Sequence, residues 1–178
     1  MDTKMLSFRY KGWRSYVHGT DMYMEFADLV NETAPGVQDG EVKMTIRQMI
    51  KNQCKLVYST GAGTNEKPEG YKTEFSFKSG PVDLTAWLVE TEEPVSGKYE
   101  YDEDKITRNS TINGESIRIN GKMPYNPIEI IVALNKHLHV TLFPNAPGKW
   151  LFTKLELTGL LKDEDSQEYN LNFVKNSN

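Results

Sequence analysis

Residues 6–30, LSFRYKGWRSYVHGTDMYMEFADLV, read as a strand that runs directly into a helix, and the expected fold class grows from that reading. Leu6, Phe8 and Tyr10 alternate with Ser7, Arg9 and Lys11, the period-2 pattern of a half-buried strand. Past Gly12 the apolar phase slips by one residue, to Trp13 and Val17. A glycine at a one-residue slip is what a β-bulge produces. With a bulge, Arg14, Tyr16 and His18 face away from the core. Without it, they share a face with Phe8 and Tyr10 and line a cleft. In the helix, Thr20 is the expected N-cap, and Asp21 sits where the helix dipole favours negative charge. Tyr23, Phe26, Ala27 and Val30 fall at i, i+3, i+4 and i+7, one apolar stripe. Asn31 and then Ala34-Pro35-Gly36 end the helix.

Residues 41–60 carry two competing patterns. Val42, Met44 and Ile46 alternate with Lys43, Thr45 and Arg47, and Cys54, Leu56 and Tyr58 alternate with Lys55 and Val57. A β-hairpin turning at Lys51-Asn52 suits these β-branched runs. The alternative is a helix, with Lys43, Arg47, Lys51 and Lys55 spaced by four beside its apolar stripe. Residues 61–70, GAGTNEKPEG, read as a loop. Their Gly-x-Gly lacks the Lys-Ser/Thr of a phosphate-binding loop.

Residues 71–119 read as an antiparallel meander, with Leu84, Ala86 and Leu88 on a central strand. Asn113-Gly114 is its clearest hairpin turn. A second helix spans 127–139, with Asn126 as N-cap, Pro127 at N1 and a stripe of Ile131, Leu134, Leu138 and Leu142. Trp150, Phe152, Leu155 and Leu157 describe a strand over 149–161. A polar loop over 162–167 leads to a last strand at 168–174.

The expected fold is therefore α+β: a mainly antiparallel, curved sheet of about eight to ten strands packed by two helices. One domain is expected over residues 1–178. The expected core is Leu6, Phe8, Phe26, Leu84, Leu88, Ile131, Leu134, Leu138, Phe152 and Leu157. Residues 6–60 and 115–174 share a β-α-β-β order, which either a duplication or chance in an α+β domain would give. That order resembles the small-molecule-binding GyrI-like domains in topology alone. The strands of residues 71–110 depart from it.

Composition excludes several functions. The net charge of −4 argues against a dedicated nucleic-acid binder, because such affinity comes from clustered Lys and Arg. No apolar run approaches the roughly 18 residues of a membrane span. The opening MDTKMLSFRYK has no apolar h-region, so the cytoplasm is the expected compartment. One cysteine, Cys54, leaves no internal disulfide. His137 and His139, two apart on a helix, point about 200° apart, so no shared metal and no cofactor are expected.

Arg14, Tyr16, His18 and Asp21 are the candidate site. Arginine holds an anion, histidine moves a proton near neutral pH, and aspartate orients an imidazole. Ser15 and Thr20 stand nearby as hydroxyls outside any nucleophile motif. Three functions compete. The first is a non-catalytic domain binding a small ligand in a cleft between sheet and helix, which the tryptophans Trp13, Trp87 and Trp150 would suit. The second is a protein-interaction module, using the acidic residues 90–104 or the basic residues 43–55. The third is an acid–base enzyme built on Arg14, His18 and Asp21.

Overall fold

In the computed structural model of the chain, residues 1–61, 66–162 and 169–175 are described. Along the chain run β1 (Asp2–Met5), β2 (Tyr10–Lys11), α1 (Gly19–Thr33), β3 (Asp39–Ile46), β4 (Asn52–Thr60), β5 (Tyr71–Ser79), β6 (Val82–Pro94) and β7 (Lys98–Tyr99). Then come α2 (Glu103–Arg108), β8 (Ser110–Asn113), β9 (Ser116–Ile119), α3 (Pro127–Leu142), β10 (Lys154–Gly159) and β11 (Asn170–Asn172). The class is α+β with mainly antiparallel pairing, as expected. The chain divides into two compact units, Met1–Tyr101 with Phe152–Leu160, and Asp102–Leu151 with Leu161–Asn178.

The first unit is built on a six-stranded sheet in the order β1-β4-β6-β5-β3-β10, antiparallel at every step. Its alternation buries one face under α1. Val42 and Met44 of β3, Phe75 and Phe77 of β5, and Leu84, Ala86 and Leu88 of β6 are buried in register. From α1, Met22, Tyr23, Phe26, Leu29 and Val30 are buried, and the Phe26 ring stacks on Phe75 at 4.8 Å. As expected, β6 is central, flanked by β4 and β5. It leaves β5 through a two-residue turn at Gly80-Pro81.

Residues 41–60 are two strands, which settles helix against strand, but they are no hairpin. β3 and β4 lie apart in the sheet, separated by β6 and β5. A hairpin at Lys51-Asn52 fails because Glu90 takes that turn's donors. Its Oε1 accepts from Lys51 N at 2.6 Å and Asn52 N at 2.8 Å, which locks the start of β4 to β6.

The second unit holds β8 and β9 as a hairpin turning at Gly114, φ +60, with β11 on the far side of β9. α3 begins as expected: Pro127 occupies the first turn, and the Glu129 carboxylate accepts from Asn126 N at 2.9 Å. Its buried face is Ile130, Ala133, Leu134 and Leu138, whereas Ile131 is only half-buried. Phe152 and Leu157 of the first unit are half-buried too, and the other seven expected core residues are buried.

Further expectations are corrected. Residues 103–108 form a third helix inside the stretch 71–119 that was expected to be all strand and turn. The Asp102 side chain accepts from Asp104 N at 3.1 Å, acids fill the first turn and Lys105 and Arg108 the last, so capping chemistry outweighs a short apolar alternation. The two β-α-β-β stretches do not recur as equivalent units, because β10 pairs with β3 while β9 pairs with β8 and β11. Most of the loop expected at 61–70 shows no strand or helix, but residues 62–65 lie outside the described residues, as does nearly all of the loop expected at 162–167. No helix among the described residues is long and apolar enough to cross a membrane.

Candidate functional site

The site starts at Gly12. Its φ of +58° turns the chain at the end of β2, where an extended strand or a bulge was expected. A Cβ there would stand 3.2 Å from the Tyr101 carbonyl. Arg14 N donates to Lys11 O at 3.2 Å across this turn. The turn is held against β7, which pairs parallel with β2, Lys11 opposite Tyr99. Tyr10 N donates to Gly97 O at 3.1 Å and Gly12 N to Tyr99 O at 2.8 Å. Upstream, the strand expected from Leu6 is interrupted: residues 6–9 belong to no strand, Leu6 N donates to Cys54 O at 3.0 Å, and a side chain holds Phe8. The buried Gln53 amide accepts from Phe8 N at 2.6 Å and donates to Phe8 O at 3.1 Å.

Downstream, Val17 N donates to Ile50 O at 2.8 Å, and His18 then caps α1. Thr20, the expected N-cap, lies inside the first turn because its hydroxyl is engaged elsewhere. Lys11 Nζ donates to Thr20 Oγ1 at 2.6 Å, and His18 Nδ1 stands 2.8 Å from that same oxygen. An ammonium only donates, so the hydroxyl accepts from Lys11, and both His18 Nδ1 at 2.8 Å and Asp21 Oδ1 at 3.4 Å lie within reach of its own proton. Lys11 also pairs with Asp21 Oδ1 at 2.7 Å, and the Tyr99 hydroxyl donates to the same oxygen at 2.8 Å.

Cations and rings then alternate. The Arg9 guanidinium lies 5.4 Å from the Tyr99 ring, and the Lys11 ammonium 5.7 Å from Tyr99 and 4.8 Å from Tyr101. The Arg14 guanidinium lies 5.5 Å from Tyr101 and 5.6 Å from Trp13. Three positive groups and three rings thus form one unbroken ladder of cation–π contacts. Its interior cations are deeply buried, Lys11 at 0% and Arg14 at 4% exposure, the two tyrosines between them are half-buried, Arg9 is exposed and Trp13 is 73% exposed.

The four residues singled out in sequence gather around this cluster. His18 and Asp21 meet through Thr20 and Lys11. Arg14 joins through Tyr101, and the half-buried Tyr16 borders His18 with ring centroids 6.5 Å apart. The burial of Arg14 and His18 replaces the wet strand face that their alternation suggested. Lys11, Tyr99 and Tyr101 were not legible as site residues, whereas Trp13 was named with Trp87 and Trp150 as suiting a ligand cleft. Lys11 sits in the polar phase of the first alternation, and the two rings it meets, Tyr99 and Tyr101, come from the far side of the first unit's sequence. The two-residue spacing of Tyr99 and Tyr101 was the one available signal.

Elsewhere the candidates separate. Trp13 is on a turn, Trp87 is fully buried on β6, and Trp150 precedes β10, so the three occupy unlike settings. His137 and His139 both lie on α3, where His139 Nδ1 approaches Asn135 O at 2.7 Å. Among the described residues, no group of three or more His, Cys, Asp or Glu is placed to hold a metal. The Cys54 thiol is buried in β4, and burial together with nearby Glu90 pushes it up to about 12, so it stays protonated at neutral pH. Thr20 is wholly buried, which removes it as a nucleophile open to solvent. No family model, curated protein or solved structure matches the chain.

Proposed function

We propose that the protein is a non-catalytic, cytoplasmic binding protein, and that its ligand is a small molecule bearing an anionic group. The binding site is the junction of β2, β7 and the start of α1. The observation that carries this reading is the convergence of Lys11, Arg14, His18 and Asp21, with Tyr99 and Tyr101, on the first turn of one helix. Positive side chains and the positive end of the helix dipole both favour negative charge there. The burial of Thr20 and the high thiol of Cys54 favour binding over covalent catalysis. A free, buried thiol also suits a reducing compartment.

The test is a calorimetric titration with ribose 5-phosphate on the native chain, Arg14→Lys and His18→Asn. Asparagine keeps the helix cap and removes the imidazole. Lysine keeps the charge and removes the planar fork. Ribose 5-phosphate should bind the native chain, and each variant should weaken it roughly tenfold or more with the melting temperature nearly unchanged. No heat of binding to the native chain, or equal binding to all three, would contradict the proposal.

A further inference from the structure

The ladder has two ends, and they differ. Arg9, at one end, is an exposed guanidinium laid over Tyr99 and along Gly97, where a Cβ added to the glycine would stand 3.8 Å from Arg9 Cδ. Trp13, at the other, is an indole with Arg14 on one side and 73% of its surface open. An exposed tryptophan of that size on a glycine turn contributes nothing to a core. The Gly12 turn nonetheless fixes it in place, because Gly12 N is bonded to Tyr99 O at 2.8 Å.

We infer that Trp13 is a stacking platform, and that the ligand is a nucleoside monophosphate. Its base lies on the open part of the indole and its phosphate meets the positive charge of the ladder. This rests on the reading of the junction as a site for an anionic small molecule, and it names the class of that molecule. Three observations select it. An indole already facing a guanidinium repels a second cation and accepts a planar, electron-rich ring. The ladder offers a ring and a cation one step apart, and a nucleotide carries a ring and an anion one sugar apart. The chain's net charge of −4 disfavours a polyanion, so a single nucleotide fits better than a nucleic-acid strand. Base–aromatic stacking tolerates every base, so all four monophosphates bind, the purines with the larger overlap.

The experiment compares AMP, GMP, CMP, UMP, ribose 5-phosphate and a single-stranded adenylate hexamer by calorimetry. The proteins are the native chain, Trp13→Ala and Trp13→Phe. Because Trp13 is exposed, neither substitution removes buried packing. On the native chain AMP should bind at least tenfold tighter than ribose 5-phosphate. Trp13→Ala should bring AMP down to the affinity that the native chain shows for ribose 5-phosphate, and Trp13→Phe should keep part of the advantage. The inference is overturned if no monophosphate exceeds ribose 5-phosphate, or if Trp13→Ala leaves AMP affinity intact. In either case sugar-phosphate binding sensitive to Arg14→Lys would still uphold the junction as a site. A hexamer binding tenfold more tightly than AMP overturns the assignment to a single nucleotide. If neither ribose 5-phosphate nor any monophosphate binds, both the nucleotide and the junction itself are rejected.

Discussion

At the scale of single residues, charge decides more than size. Lys11 is fully buried and tied to Thr20 and Asp21, a combination that no local pattern announces, since lysine at an alternating position reads as solvated. The opposite case lies on α1. Glu25 is half-buried, and burial raises its carboxyl above the usual carboxylate range; Lys4 opposes this, while Asp28, Glu32 and Asp21 add to it. A carboxyl raised in the folded state opposes folding when ionised, and this is relieved as pH falls through its folded value. Glu25→Gln should therefore raise the melting temperature at pH 7 by roughly 1–3 °C, and the gain should fade toward pH 4. A gain that persists unchanged at low pH would assign the effect to something other than ionisation.

At the scale of elements, sequence and structure part where a partner is distant. Both long helices were legible, because caps and stripes are local: Asn126 and Pro127 mark the start of α3 in either reading. The first helix was placed correctly with the wrong cap, because Lys11 and His18 draw off the Thr20 hydroxyl. The segment from residue 6 was legible in its burial, with Leu6 and Phe8 inside, but residues 6–9 join no strand, because the Gln53 side chain takes the place of a ladder partner at Phe8. The glycine slip was read correctly as a break in phase. Its form, a turn at positive φ, depends on β7. Gly12→Ala tests that element. The left-handed backbone alone costs about 1–2 kcal/mol in a non-glycine residue, before any contact with Tyr101 O. Urea unfolding should show a loss of at least that size. A loss under about 0.5 kcal/mol would mean that the turn relaxes without cost.

At the scale of the whole molecule, the class was legible and the pairing was not. Alternation reports which residues face inward and leaves strand order open, so β3 and β4 read as neighbours although β5 and β6 lie between them. The apparent duplication failed for the same reason, as element order carries no pairing. The candidate site was half legible. Arg14, Tyr16, His18 and Asp21 crowd in sequence, whereas Tyr99 and Tyr101 reach the cluster only through the parallel pairing of β2 with β7.

The central claim is that this cluster binds an anionic small molecule rather than only holding the fold, and His18 reports on it directly. The measurement is an imidazole-detected NMR titration of the intact chain with ribose 5-phosphate at constant ionic strength. The three histidines give separate signals, and His137 and His139 on α3 report any general effect of the added salt. The account predicts a saturable shift of the His18 signals alone. His18 signals that stay still, or that move in step with those of His137 and His139, would contradict it.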